Sequence, residues 1–193
     1  TKVYDGTTSS AGVPTITTGA LQGTDSVAWT QTYDNKNIGS GNKTMTAAGT
    51  VSDGNSGLNY SVTFATNTTG SITAKSLTIG GTFTANNKVY DATTSATILV
   101  NSLTLTGVVG AETVTLTPVL VFADKNASGT PKTVSLTGSS IAGIDSGNYT
   151  LSLTGAPTAS ANLTARPITV TAVTDTKVYD GTTSSAGVPT ITT

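Results

Sequence analysis

The 193-residue chain has no histidine and no cysteine, a single methionine and a single tryptophan, and only 10% charged residues. Average soluble domains carry roughly 25% charge. Without His or Cys, the commonest general base, the thiolate nucleophile and most transition-metal ligand sets are missing. Nine basic and ten acidic side chains give a net charge of −1 with no basic cluster. That argues against a nucleic-acid partner and against electrostatic docking on anionic membranes. The longest apolar run, Val119 to Ala123, falls far short of the roughly 18 residues of a membrane helix. No signal peptide opens the chain; Thr1 begins in mid-pattern, so the expectation is a piece of a longer protein.

Threonine supplies 44 positions and glycine 21. Hydrophobic residues make up 36%, many of them β-branched, as in Ile168-Thr169-Val170. Low charge with β-branched alternation favours folded strands over disorder. The pattern predicts strands near 13–18, 26–32, 43–51, 59–66, 71–79, 82–85, 97–106, 112–122, 132–138, 148–154, 160–165 and 167–173. No helical period is sustained, and the best candidate, Ser140 to Ile144, is short and holds a glycine. The expected fold is all-β: tandem small β-sandwich or β-grasp-like domains in an elongated array, with essentially no helix.

Internal repetition organises the rest. Lys2-Val3-Tyr4-Asp5-Gly6-Thr7-Thr8-Ser9 returns at Lys88–Ser95, with Ala92 in place of glycine, and again at Lys177–Ser184. Tyr33–Asn37 matches Phe122–Asn126, Asn59-Tyr60 matches Asn148-Tyr149, and Ile72–Lys75 matches Leu163–Arg166. Residues 1–18 and 176–193 are identical. Three units are expected: 1–74, a first repeat without its opening strand; 75–165, a complete second repeat; and 166–193, the opening strand and KVYDG motif of the next. Short linkers are expected around 75–81 and 166–175. The missing strand is expected from a preceding repeat, or from residues 166–193 of an identical molecule.

These ordered motifs resemble the YDG repeat domain of large bacterial filamentous-haemagglutinin-like surface adhesins. The resemblance covers nearly the whole chain. It implies a β-rich module repeated in an extracellular stalk at the bacterial cell surface, with no catalytic residue, metal or cofactor to carry over.

Tyr4, Tyr90 and Tyr179 recur at one motif position, and Asp5, Asp91 and Asp180 follow them. A packed ring and an acid that organises the turn are the expected roles, with a repeated binding surface as the alternative. Tyr60 and Tyr149 read the same way. Alanine at position 92 implies a turn that does not need positive φ. Trp29 aligns with Leu116 and shares a strand face with Val27, so it is expected in the core rather than as a sugar platform. Acids are scattered singly; Asp53–Gly57 and Asp145–Asn148 lack the ligand count of a calcium loop. Six N-glycosylation sequons, at Asn42, Asn59, Asn67, Asn126, Asn148 and Asn162, identify no modification by themselves.

The expected function is a structural repeat module of an extracellular fibre or adhesin stalk, joined between repeats by strand complementation. A module binding surface glycans or host proteins is the alternative, and a Thr-rich ice-binding surface is disfavoured by the long period. No enzymatic activity is expected.

Overall fold

The computed structural model describes residues 1–192. Residues 1–74 carry β1 (Lys2–Val3), β2 (Ser26–Tyr33), β3 (Gly39–Ser52) and β4 (Asn67–Thr73). They form one sheet in the order β1-β4-β3-β2. β2 and β3 pair antiparallel from Ser26↔Ser52 to Tyr33↔Met45. The period-2 alternation of β2 turns Val27, Trp29, Gln31 and Tyr33 to the less exposed face. β1 lies parallel to β4, with Lys2 beside Ile72.

The chain changes sheets at Ala74. Residues 75–165 carry β5 (Lys75–Ala85), β6 (Lys88–Val89), β7 (Ser95–Ala96), β8 (Ile98–Thr106), β9 (Thr115–Thr117) and β10 (Leu120–Phe122), and then β11 (Lys132–Ser135), β12 (Ser140–Ala142), β13 (Tyr149–Ser152), β14 (Ala159–Ala161) and β15 (Leu163–Thr164). A 3₁₀ turn at Ser146–Asn148 is the one helical element among the described residues. The fold is all-β.

The sheet of the first repeat recurs in the second in pieces. β6 runs parallel to β15, with Lys88 beside Leu163 as Lys2 is beside Ile72. β14-β11-β10-β7 form a four-stranded sheet, and β9 pairs with β12 in a separate ribbon. The strand expected over 112–122 is split there because Pro118 has no N–H to give to a ladder.

The second repeat also has a layer without a counterpart in the first. β5 pairs antiparallel with β8, Ile79 opposite Leu105, and parallel with β13, Leu77 beside Leu151. Its buried Ile79 and Phe83 pack on Leu120, Phe122, Val134 and Leu163. A second core joins the repeats: Tyr4, Tyr33 and Ile72 from the first with Leu77 and Tyr149 from the second. Residues 75–81, expected as a linker, are instead interior strand, because their apolar side chains are needed in both cores.

Two expected strands are absent. Residues 13–18 and 59–66 alternate correctly yet have no strand pairing. Their counterparts β8 and β13 are held by β5, and no strand among the described residues lies between the first-repeat segments. Beyond Arg166, β16 (Thr169–Thr171) pairs with β17 (Thr190–Thr192), Val170 opposite Ile191. Thr193, the end of the expected third unit, lies outside the described residues.

The reading of Ala92 is overturned. Its φ is +66°, matching +77° at Gly6 and +74° at Gly181, so all three KVYD turns use the left-handed region. A side chain there costs about 1–2 kcal/mol. Ala92→Gly should therefore raise stability by about 0.5–1 kcal/mol after glycine's own entropy cost. Urea denaturation measures it, and an unchanged or lower midpoint refutes the strain.

Candidate functional site

Glu112, the chain's one glutamate, lies where the two repeats meet. It stands in the turn before β9, where its N–H donates to the Val109 carbonyl at 3.2 Å. Its Oε1 accepts from the Tyr4 hydroxyl and from Lys36 Nζ, the latter at 2.6 Å. Its Oε2 accepts from the Tyr149 hydroxyl at 2.5 Å. The Tyr149 oxygen accepts in turn from the Val109 N–H at 3.0 Å. The Tyr4 and Tyr149 rings meet edge to face at 5.3 Å, a favoured aromatic arrangement. Alongside, Asn148 Oδ1 accepts from the Ile38 N–H at 3.1 Å, and its Nδ2 donates to Asn37 Oδ1 at 3.3 Å. Glycine at position 6 permits this approach: a Cβ there would sit 2.8 Å from Val109 Cγ1.

Burial pushes the Glu112 carboxyl up, but hydrogen bonds from Lys36, Tyr149 and Tyr4 outweigh it and bring it from 4.5 to about 2. Burial, then the Glu112 hydrogen bond, raises the Tyr149 phenol to about 12, and the same two causes raise Tyr4. A carboxylate depressed on folding stabilises the folded state above its unfolded value and loses that contribution as pH falls through the folded one. The contribution of Glu112 should thus fade between pH 4.5 and about 2. Asp5 and Asp91, held to about 2 first of all by their lysines, fade over much the same window. Urea midpoints followed over this range check it: wild type should fall more steeply than Glu112→Gln, and equal slopes would refute the role of Glu112.

The recurring motif residues occupy three settings. Tyr4 is 1% exposed and Tyr179 is 94% exposed, while Tyr90 is half-buried. Asp5, Asp91 and Asp180 each accept the backbone N–H of Thr7, Thr93 or Thr182 at 2.9 Å. Each also pairs with Lys2, Lys88 or Lys177, at 2.6, 2.8 and 2.8 Å. The aspartates therefore organise their own turns, and only the tyrosine reaches across to the next repeat.

A profile of the YDG domain matches residues 1–69 and, separately, residues 73–159. The chain belongs to the YDG domain family. No curated protein and no solved structure matches it. Each YDG match holds the same four positions: Tyr4, Asp25, Lys36 and Tyr60 in the first, and Tyr90, Glu112, Lys125 and Tyr149 in the second. The contact between repeats takes the tyrosine and lysine of one YDG match and the acid and second tyrosine of the next.

Glu112 and Lys36 were not singled out from sequence. Their signal lay in the alignment of Gly23-Thr24-Asp25 with Gly110-Ala111-Glu112, and of Tyr33–Asn37 with Phe122–Asn126. Each alignment keeps a charge of one sign in both YDG repeats, but neither says that the two charges meet.

The first repeat also bears a groove of about 580 Å³ between residues 14–21 and 60–65. Trp29 lies in it, half-buried, edge to face with Phe64 at 5.3 Å. Gly49 faces Trp29 across the strands, where a Cβ would sit 2.1 Å from the Ala28 carbonyl oxygen. Trp29, expected in the core, instead lies in this open groove outside both cores, whereas its counterpart Leu116 packs against the core of the second repeat. Asp53 accepts the N–H groups of Asn55 and Gly57 at 2.8 Å and of Asn59 at 3.0 Å, and Asp145 accepts that of Thr113 at 2.8 Å. Among the described residues no three acids cluster as metal ligands.

Proposed function

We propose that this YDG chain is a structural repeat module of an extracellular bacterial fibre or adhesin stalk, its repeats joined by the strand that leads from one into the next. The supporting observation is the path of β5. It leaves the first repeat at Ala74, places Leu77 in the core that holds Tyr4 and Ile72, and then places Ile79 and Phe83 in the core of the second repeat. A buried, hydrogen-bonded strand resists bending where a loose linker does not. Stiffness of this kind suits a module that holds something away from a cell. The partners in this reading are neighbouring repeats or identical molecules, with residues 166–193 directed to the first repeat.

Antibodies against the 193-residue chain, applied to intact cells of its source, test the location, and electron microscopy of the native protein tests the form. Surface labelling and extended fibres with a regular bead spacing are expected. Labelling only after lysis, or a compact particle, would overturn the proposal.

A module binding surface glycans or host proteins is the second reading, favoured by the accessible Trp29–Phe64 pair in the groove. Saturable binding on a glycan array, lost in Trp29→Ala with the fold intact, would promote it.

A further inference from the structure

The first repeat carries half of the contact that joins the two repeats. Tyr60 donates to Asp25 Oδ2 at 2.6 Å and accepts from the Gln22 N–H at 2.8 Å. Tyr149 does the same with Glu112 and Val109, at 2.5 and 3.0 Å. Glu112, however, is also met by Tyr4 and Lys36 of the preceding repeat. The counterparts of those two residues stand at the far end of the second repeat. Tyr90 is half-buried beside a hollow that also involves Asn126 and Ile168, and Lys125 is exposed.

The groove next to Asp25 and Tyr60 completes the pattern. Its walls, residues 14–21 and 60–65, correspond to β8 and β13, which grip β5 from both edges. The counterpart of β5 elsewhere in the chain is Arg166–Val173. Ile168 and Val170 there are 62% and 58% exposed, whereas the corresponding Leu77 and Ile79 are 0% and 5% exposed. β16 is held along one edge by β17, and its other edge has no strand among the described residues. The Thr190-Ile191-Thr192 of β17 is the same sequence as Thr15-Ile16-Thr17 in the groove wall.

We propose that a second molecule of this chain docks head to tail, its Arg166–Val173 strand entering the first-repeat groove while its Tyr90 and Lys125 close on Asp25 and Tyr60. The proposal rests on the reading of the chain as a stalk module and assigns the surfaces that extend it. The register follows from the pairings within one molecule. Val170 lies opposite Ile16, as it does opposite Ile191. Ile168 lies beside Val62, as Leu77 does beside Leu151. Trading residues 190–192 for 15–17 of the other molecule replaces one pairing with an identical one. The gain is a second paired edge, two covered side chains and the charge contact. Because the two surfaces differ, the addition repeats and builds open chains.

Sedimentation velocity of the full chain, from roughly micromolar to millimolar concentration, reads the assembly. Trp29, the only tryptophan, reports filling of the groove by a blue shift of its emission. Wild type should form a concentration-dependent ladder of species with a rising blue shift. Ile168→Asp/Val170→Asp, at positions exposed in the single molecule, should remain monomeric. Lys125→Asp should weaken association at least ten-fold, and Lys125→Asp combined with Asp25→Lys should recover most of it, a recovery that misfolding does not produce. A synthetic peptide of residues 166–173 should shift Trp29 emission saturably, and the same peptide carrying both aspartates should not. Wild type that stays monomeric with Trp29 unmoved by the peptide overturns the proposal. So does association that survives Ile168→Asp/Val170→Asp. Either result leaves surface labelling and fibre form, the tests of the stalk reading, to stand or fall separately.

Discussion

Replacing Glu112 with alanine should cost the chain about 3 kcal/mol, because it removes three charge-assisted hydrogen bonds and strands a buried phenol pair. The carboxylate joins Tyr4 and Lys36 of the first repeat to Tyr149 of the second, so the loss falls on the junction. Glu112→Gln keeps the shape and one acceptor oxygen, and its cost should be about half as great. Two-state urea denaturation gives the magnitudes. Hydrogen exchange gives the location, with faster exchange expected at the Tyr4 and Val109 amides and little change around Val134, in the core of the second repeat. A Glu112→Ala protein as stable as wild type would mean that the junction is held by apolar packing alone.

Leu77→Ala should cost about 3 kcal/mol, and so should Leu163→Ala, since both side chains are 0% exposed and each substitution opens a cavity that packing only partly closes. The two should differ in reach. Leu77 packs with Tyr4, Tyr33, Ile72 and Tyr149, whereas Leu163 packs within the second repeat. Leu77→Ala should therefore speed exchange in β1 and β4 as well as β5, and Leu163→Ala should leave β3 and β4 protected. Equal loss of protection throughout the chain in both variants would show one cooperative unit rather than two cores sharing a strand. Total stability is expected in the range of about 5–15 kcal/mol, so either substitution is a large fraction of it.

Much of the strand pattern was legible from alternation alone. β2 and β5 appear where apolar residues alternate on one face, Val27, Trp29 and Tyr33 in the one and Leu77, Ile79, Phe83 and Ala85 in the other, because that period sets which face meets the core. Residues 13–18 and 59–66 show the limit of the signal. They alternate as well as β8 and β13 do, yet form no strand, because a strand exists only when a neighbour takes up its N–H and C=O groups. Ala92 shows another limit. Alanine in place of glycine pointed to a turn free of positive φ, but the hydrogen bonds that Thr93 donates to Asp91 and the ion pair of Asp91 with Lys88 hold the turn in the geometry of Gly6. The candidate site was half legible: Tyr4, Tyr60, Tyr90 and Tyr149 stood out by recurrence, whereas Glu112 looked like a solitary acid.

The sequence by itself determined the all-β class, the repeat, its YDG motifs and the lack of His and Cys chemistry, since composition, periodicity and self-similarity can all be read along the chain. Only the tertiary structure decided which tyrosine is buried and against what. Tyr4 and Glu112 are 108 positions apart, and nothing local to either selects the other. The same holds for the open groove. The identical segments Thr15–Thr17 and Thr190–Thr192 differ only in whether a strand lies alongside, and one is coil while the other is β17.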